Sequence, residues 1–399
     1  MQKLVLEANE NGMDEIYIND FPGGPKAFEI CAKFCYGMTV TLNAYNVIAA
    51  RCAAEHLEMT EEIDKGNLIY KIEIFLSTSV FRSWKDSIIV LQTTKSLLPW
   101  SEELKIVGRC IDSIASKTSV EPSLVNWSYT YSKRSTGQIV ELYQQKTHAV
   151  PKDWWVEDIC ELDVDLYKRV MVAIKSKGRM SSELIGEALK AYAVRWLPDS
   201  YDALVSDDYA IRNRSLVETL IWLLPKDEGC SCRFLLKLLK FVILVEAGDL
   251  LKEELMNRIS SQLHIASVKD LLIPAKAGGE SIYDIDLVKS LLSRFLVQEV
   301  TACDSDLTES EEKKGDYNLG HASLLSLGKL IDGYLAEIAS DPTLPITSFI
   351  SLSKLLPELA RPIHDGLYTA IDIYLQVRSS EQTFSLFVSC ISCSNIMVS

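Results

Sequence analysis

The chain of 399 residues is long enough for two or three domains, and its 48% hydrophobic and 24% charged residues are typical of a globular protein with a sizeable core. The formal net charge of −14 excludes a general nucleic-acid binder, because a phosphate backbone attracts Lys and Arg. One short basic cluster, Lys175, Lys177 and Arg179, is interpreted as a solvated turn between helices, with a local docking patch as the alternative.

The ten Cys residues are dispersed, and none has a matching ligand pair at zinc-site spacing. Many lie in apolar helical patterns, which predicts reduced thiols and an intracellular protein. The N-terminus has no apolar region of signal-peptide length. The longest apolar stretch, Phe234–Val245, is too short to span a bilayer and contains two lysines, so it predicts a buried core helix.

The first segment has the alternating pattern of a β-hairpin. Leu4 and Leu6, and then Ile16 and Ile18, flank a polar stretch that contains an Asn-Gly pair. A Pro- and Gly-rich breaker follows, after which apolar residues return at helical spacing. The first predicted helices are one from about Lys26, Ala44–Met59 with Asn43 as its N-cap, Leu68–Trp84, Asp86–Leu98 and Ser101–Ser116.

Residues 118–150 have little periodicity and predict a linker or long loop. Helical patterns then succeed one another for more than 200 residues, which favours an α-helical array over an α/β fold. The acidic stretch Asp304–Asp316 predicts a loop. The helices predicted after the linker are Leu162–Lys175, Ser181–Trp196, Ala210–Leu224, Cys232–Ala247, one carrying Leu251, Leu255, Ile259 and Leu263, then Asp284–Val300, Ala322–Ser340, Ser348–Leu355 and Arg361–Leu375.

Motifs for catalysis are missing from the sequence. The five His residues have no i, i+4 pair, there is no G-x-S-x-G elbow, and the Gly-Gly segment 275–280 lacks the order of a phosphate-binding loop. His364, which precedes Asp365, is interpreted as a hydrogen-bonded structural His, with an acid–base pair as the alternative. Trp154 and Trp155 are expected to pack in the core, with interface anchors as the alternative. We therefore predict a non-enzymatic protein with no catalytic residues, metal site or cofactor.

Three stretches carry a family resemblance. The first begins Asn67-Leu-Ile-Tyr-Lys and continues from Val80-Phe-Arg-Ser-Trp; the second, longer and more specific, runs from Asp153-Trp-Trp-Val-Glu to Ala193-Val-Arg-Trp-Leu-Pro198; the third is Arg361-Pro-Ile-His-Asp-Gly-Leu-Tyr-Thr-Ala-Ile-Asp372. All three resemble the plant BTB/POZ adaptors of the non-phototropic-hypocotyl-3 family. The similarity covers roughly residues 15 to 375.

The resemblance implies a mainly α fold, in which a partial BTB/POZ domain, a short β-hairpin plus helices, precedes an all-helical domain. The implied boundaries are 1–117 for the partial BTB domain and its following helices, 118–150 for the linker, 151–376 for the helical domain and 377–399 for a divergent tail. We expect the start of the BTB fold to be missing, which affects dimerisation and cullin docking. The Cys-rich tail is interpreted as a product of altered splicing or gene modelling, with acylated membrane attachment as the alternative.

The resemblance also implies a function: a substrate-specific adaptor of a cullin-based E3 ubiquitin ligase in plant signalling, acting in phototropism-like responses. The alternative is a signalling scaffold without ligase activity that binds a receptor kinase or transporter. The expected partners are a cullin, a substrate or receptor protein, and a second BTB chain in a homo- or heterodimer, with no nucleic acid. The expected location is cytoplasmic or peripheral at the plasma membrane. The family tyrosine corresponds to Tyr368, a candidate for phosphorylation, with an apolar-face helix residue as the alternative.

Overall fold

Capping residues mark where several helices begin. Ser83, Asp163, Ser181 and Ser231 each precede a helix, and each side-chain oxygen accepts a hydrogen bond from the backbone N–H three residues further on, at 3.0 to 3.4 Å. Such a bond satisfies one of the amide groups that a helix leaves unpaired in its first turn. Polar residues at these four positions therefore fix the start of four helices directly from the sequence.

The computed structural model describes residues 18–121, 124, 151–198, 207–226, 229–275, 281–305 and 316–378, apart from the side chains of 207–212, 299–305 and 316–321. The chain divides into two compact units, Met1–Asp199 with Trp222–Gly229, and Ser200–Ile221 with Cys230–Ser399. Within the described ranges the only β-structure is one isolated bridge, Pro274 to Tyr283. The prediction of a mainly helical protein is confirmed.

The helices of the first unit lie before and after residues 118–150 in the sequence. Short segments of other helix types follow two of them: a π-helix, Leu76–Val80, and a 3₁₀ turn, Thr94–Leu97. The α-helices are α1 Gly24–Cys35, α2 Val47–His56, α3 Leu68–Phe75, α4 Trp84–Thr93, α5 Trp100–Glu103, α6 Ile106–Lys117, α7 Val156–Ile159, α8 Val164–Ser176 and α9 Ser182–Trp196.

Helix α10, Asp207–Leu223, contains the boundary between the two units. The second unit continues with seven further helices among its described residues, with short 3₁₀ turns at Leu263–Ile265 and Glu358–Ala360. These helices are α11 Cys232–Leu244, α12 Asp249–Ser261, α13 Val268–Leu271, α14 Ile285–Ser305, α15 Asp316–Ile338, α16 Ile346–Ser353 and α17 Asp365–Val377.

The core of the first unit joins helices from before and after residues 118–150. The Trp84 indole donates to an Asp158 carboxylate oxygen at 2.8 Å, and both side chains are buried. On the surface, Lys95 forms an ion pair with Asp163 at 3.0 Å. The 118–150 stretch lies mostly outside the described residues, yet the helices on either side of it pack together.

Several predicted helices differ from the observed ones. The helix predicted over Ser101–Ser116 is divided into α5 and α6, and the one predicted from Arg361 begins at Asp365. The one predicted over Leu68–Trp84 ends as an α-helix at Phe75, because the backbone continues as a π-helix and then turns before Ser83. The helix predicted from Ala44 begins at Val47. The Asn43 side chain accepts from the backbone N–H groups of the next turn, so it caps that turn rather than the helix itself.

Several predictions concern undescribed residues. Apart from Ile18, the predicted β-hairpin lies in residues 1–17, which are outside the described ranges. The same holds for most of the predicted acidic loop, for most of the Gly-Gly segment 275–280 and for nearly all of the tail. The partial BTB domain and the division into four segments therefore stay predictions. Across the residues that are described, no helix combines the length and apolarity that crossing a membrane requires.

Candidate functional site

The second unit contains an apolar groove of about 420 Å³, formed by one face of α15 and by residues 360–369. Its walls include Leu325, Ala336, Pro362 and Ile363. Cavities of several hundred Å³ that are mostly apolar, with a few fixed polar groups, are the usual form of a binding site. The groove could receive one or two side chains of a peptide, or a small molecule.

A buried ion pair forms part of the groove lining. Arg361 donates to the same Asp332 carboxylate oxygen from Nε at 2.9 Å and from Nη2 at 2.6 Å. Its remaining nitrogen, Nη1, donates to the Ser353 carbonyl at 3.0 Å. The side chains of Arg361 and Asp332 are only 6% and 10% exposed. The pair therefore ties the residues before α17 to the middle of α15.

Two glycines allow this close approach. A Cβ on Gly328 would lie 1.9 Å from the Ala360 carbonyl oxygen, and one on Gly366 would lie 2.9 Å from the Asp332 Cβ. Contacts below 3.0 Å do not occur for real Cβ atoms, so any other residue at Gly328 requires the backbone to move. The shape of the groove thus depends on glycine at Gly328 and at the first turn of α17.

The rim of the groove carries one cation and exposed apolar surface. Lys329 is exposed, and no carboxylate oxygen of the described residues lies within 4.0 Å of its ammonium group. Ile363 is 69% exposed, and Leu359, which immediately precedes the segment, is 66% exposed. An occupant that combines an apolar side chain with a negative charge would match this surface.

Tyr368 lies on α17 next to Thr369, a residue of the groove lining, but its own side chain is not part of the lining. It is 48% exposed, and its ring lies 6.5 Å from the ring of His364. The hydroxyl is therefore accessible to an enzyme, and phosphorylation of Tyr368 stays a prediction. His364 is at the N-cap of α17, and its buried Nδ1 has no hydrogen-bond partner among the described residues, so the expected hydrogen bond of a structural His is not observed at this nitrogen.

Trp154 and Trp155 lie in the first unit, far in sequence from the groove. They are 4% and 0% exposed, and the Trp154 ring lies 4.8 Å from the ring of Trp84. These contacts are internal to the unit, so binding a partner through either indole would require local opening. A role as interface anchors stays a prediction.

Buried thiols account for most of the described cysteines. Burial raises the pKa of Cys31, Cys110, Cys160 and Cys232 to about 12, and that of Cys52 to about 11. At neutral pH these five side chains carry no nucleophilic thiolate. The part of the chain that the structure describes also holds no cluster of three or more His, Cys, Asp or Glu suited to a metal ion.

The sequence contains an indication of the buried ion pair, although an analysis of apolar periodicity does not detect it. Asp332 interrupts the apolar run Leu330-Ile331 and Tyr334-Leu335 on α15, where a solvated carboxylate would be costly. Arg361 opens the third stretch of family resemblance. Pairing the two would have required knowledge of the tertiary contact, since 29 residues separate them.

Comparison with known proteins places the chain. The model of the NPH3 family matches residues 153–382. The chain is 53% identical over 384 residues to the phototropic-responsive NPH3 family protein NPY1 of Arabidopsis thaliana, covering 94% of this chain and 64% of the relative. It is 50% identical over 384 residues to the phototropic-responsive NPH3 family protein NPY2 of the same plant, and this match covers 94% of this chain and 61% of the relative. A BTB/POZ domain-containing protein of Arabidopsis thaliana is 42% identical to the chain over 416 residues, and this match covers 95% of this chain and 65% of the relative.

The chain belongs to the NPH3 family, and the predicted family is confirmed. It spans somewhat less than two thirds of the length of these three relatives. No solved structure matches it. The groove and its ion pair, at residues 325–369, lie wholly within the matched family region.

Proposed function

We propose that the chain is an adaptor in plant signalling that recruits a partner protein through the α15 groove. The observation that carries the proposal is the groove itself, an apolar cleft with a fixed ion pair and a cation at its rim, inside the family region. Rigid lining favours binding, because less conformational entropy is lost when the occupant enters. The names of NPY1 and NPY2 associate those relatives with phototropic responses, which suggests a similar pathway here.

The finer proposal is a substrate-specific adaptor of a cullin-based E3 ubiquitin ligase. In this scheme the N-terminal BTB part docks on the cullin and the helical domain presents the substrate. Support comes from the BTB/POZ names of several relatives and from the high identity over most of this chain. We place the protein in the cytoplasm or peripherally at the plasma membrane, and a fractionation of plant cells tests this.

Cullin docking is testable with purified components. The chain, fused at its N-terminus to a complete BTB domain, is immobilised and titrated with the N-terminal domain of a BTB-binding plant cullin. The proposal predicts saturable binding and, with the complete ligase, ubiquitin transfer to a captured partner. No cullin binding by this extended chain would contradict the ligase role.

Partner recruitment is tested separately on the groove. Ile363→Asp places a charge on the exposed apolar rim, and Leu250→Asp makes the same change at a residue of α12 that is 87% exposed and outside the groove lining. Only Ile363→Asp is expected to abolish partner capture in plant cells. Loss of capture by Ile363→Asp in a chain that does not bind cullin would instead favour the scaffold without ligase activity.

A further inference from the structure

Trp222, in the last turn of α10, presents its side chain to solvent. It is 61% exposed, whereas Trp84, Trp154 and Trp155 are at most 4% exposed. Its indole N–H has no hydrogen-bond partner among the described residues. Tryptophan is among the residue types most enriched at the energetic centres of protein interfaces, because a large ring excludes water and its N–H donates one bond.

One cation lies over this indole, and a second contacts the residue that follows it. The Lys168 ammonium lies 4.7 Å from the centre of the Trp222 ring, and Lys175 donates to the Leu223 carbonyl at 2.9 Å. Gly229 lies directly against the backbone of Ser182. Lys177 and Arg179 lie in the turn that joins α8 to α9, and the residues on either side of that turn, Lys175 and Ser182, contact Leu223 and Gly229 in the same unit.

Four cations of this part of the first unit have no acidic partner among the described residues, unlike several on α8 and α9. Elsewhere on α8 and α9, Arg169 pairs with Glu102, Lys190 with Glu187 at 3.1 Å, and Arg195 with Glu161 at 3.5 Å. Around Trp222, the structure as described shows no carboxylate oxygen within 4.0 Å of the side-chain nitrogens of these residues: Lys168, Lys177, Arg179 and Lys226.

We infer that this surface, defined by Trp222, Lys168, Lys177 and Arg179, binds a short acidic peptide segment of a partner protein that carries one aromatic or apolar residue. The apolar residue would lie on the indole, beside Val172, which is 39% exposed. From Lys168 to Lys175 the helix rises about 10 Å, so four or five extended residues span the surface.

The charge of the whole chain favours a short peptide over a membrane or nucleic acid. Charges further apart than the Debye length, about 8 Å at physiological salt, are largely screened. A peptide that covers only this surface therefore experiences its local cations. A lipid bilayer or a polynucleotide would extend over the rest of a chain whose net charge is −14. Glu183 and, in sequence, Asp227 and Glu228 border the Lys226 end, so we expect the acidic residues to bind nearer Lys168, Lys177 and Arg179.

The test is a fluorescence anisotropy titration of the full chain with a fluorescein-labelled hexapeptide of five glutamates and one phenylalanine. Trp222→Ala should raise the Kd about tenfold or more, the effect of removing one interface anchor. The double variant Lys177→Gln/Arg179→Gln should weaken binding by a similar factor, and added salt should do the same. The matched control, Lys190→Gln/Arg195→Gln, removes the same charge from paired cations and should change the Kd less than about twofold.

Three results would overturn the inference. They are no binding of the glutamate peptide below about 1 mM, equal losses in the test and control double variants, or tighter Trp222-dependent binding to phosphatidylserine vesicles than to the peptide. Circular dichroism of each variant verifies folding. Because Lys177 and Arg179 form no ion pair with any residue that the structure describes, the double variant keeps the inference testable even if Trp222→Ala is unstable.

Discussion

Replacing Arg361 by Met isolates the contribution of the buried ion pair to the groove. The substitution removes the guanidinium, which donates two hydrogen bonds to Asp332 and one to the Ser353 carbonyl. Removing one partner of a buried pair leaves the other charge uncompensated, which costs about 3–5 kcal/mol. That is a large part of the 5–15 kcal/mol by which folded proteins are typically stable.

The assay is hydrogen exchange measured by mass spectrometry on the backbone amides of α15 around Asp332. A loss of about 3–5 kcal/mol in the free energy of opening accelerates exchange by roughly two to almost four powers of ten. The control is Arg294→Met in the same unit. Arg294 pairs with Glu253 at 2.6 Å, and the two side chains are 31% and 52% exposed. Because exposed ion pairs contribute little, we expect Arg294→Met to lower the free energy of opening by only about 0–1 kcal/mol.

A double variant tests the reasoning itself. Asp332→Leu with Arg361→Met replaces both charges by apolar groups of similar size, and such replacements are often neutral or stabilising. The double variant should therefore be more protected than Arg361→Met alone. If the double variant is no better than the single one, or if Arg361→Met costs no more than Arg294→Met, the assigned role of the ion pair is wrong.

Three further predictions concern single residues. Gly328→Ala should destabilise the second unit by about 1–3 kcal/mol in urea denaturation, because its Cβ would collide with the Ala360 carbonyl. Asp341 accepts four hydrogen bonds, from Ser281, Ile282 and Thr343, which hold its carboxyl pKa at about 2. The ordinary pKa of an aspartate carboxyl is 3.8, so ionised Asp341 should contribute about 2 kcal/mol to the free energy of unfolding above pH 4. This contribution should be lost as the pH falls through 2. The difference in stability between the original chain and Asp341→Asn should therefore vanish at that pH. Trp84→Phe should cost the first unit about 2–3 kcal/mol in thermal unfolding, because the buried Asp158 carboxylate loses a donor.

Matched controls separate these effects from general perturbation. Gly108 in α6 has open space where a Cβ would be, so Gly108→Ala should stabilise its helix by about 0.5–1 kcal/mol. Trp222→Phe changes an exposed indole and should alter stability by less than about 0.5 kcal/mol. The glycine prediction is wrong if Gly108→Ala destabilises the chain as much as Gly328→Ala. The Asp341 prediction is wrong if the effect of Asp341→Asn does not depend on pH. The Trp84 prediction is wrong if Trp84→Phe and Trp222→Phe lose equal stability.

Much of the helical pattern could be predicted from sequence because local chemistry determines it. Ser181 caps α9, and Ser231 caps α11, and both helices begin within a residue of the predicted position. The end of α3 could not be predicted, since Leu76–Val80 keeps an apolar pattern while its backbone widens to a π-helix. Apolar spacing alone does not distinguish these two hydrogen-bond patterns.

The groove was less accessible to sequence reasoning than the helices. The sequence resemblance includes the segment from Arg361 to Asp372, which contributes to the groove and contains Tyr368. The groove lining as a whole, however, depends on contacts between residues that are distant in the sequence. The approach of Gly328 to Ala360 and the bonds between Asp332 and Arg361 are tertiary facts with no local periodic signal. The exposure of Trp222 likewise follows from tertiary packing that its position in an apolar helical pattern does not predict.

The most direct measurement of partner recruitment is site-specific photo-crosslinking in plant cells. A benzoylphenylalanine is placed at Ile363, on the groove, and separately at Leu250, which lies outside the groove lining and is 87% exposed. The account predicts a discrete adduct from the Ile363 position that Gly328→Ala diminishes, and none of the same mass from Leu250. Identical adducts from both positions, or none from Ile363, would contradict the groove as the recruiting surface.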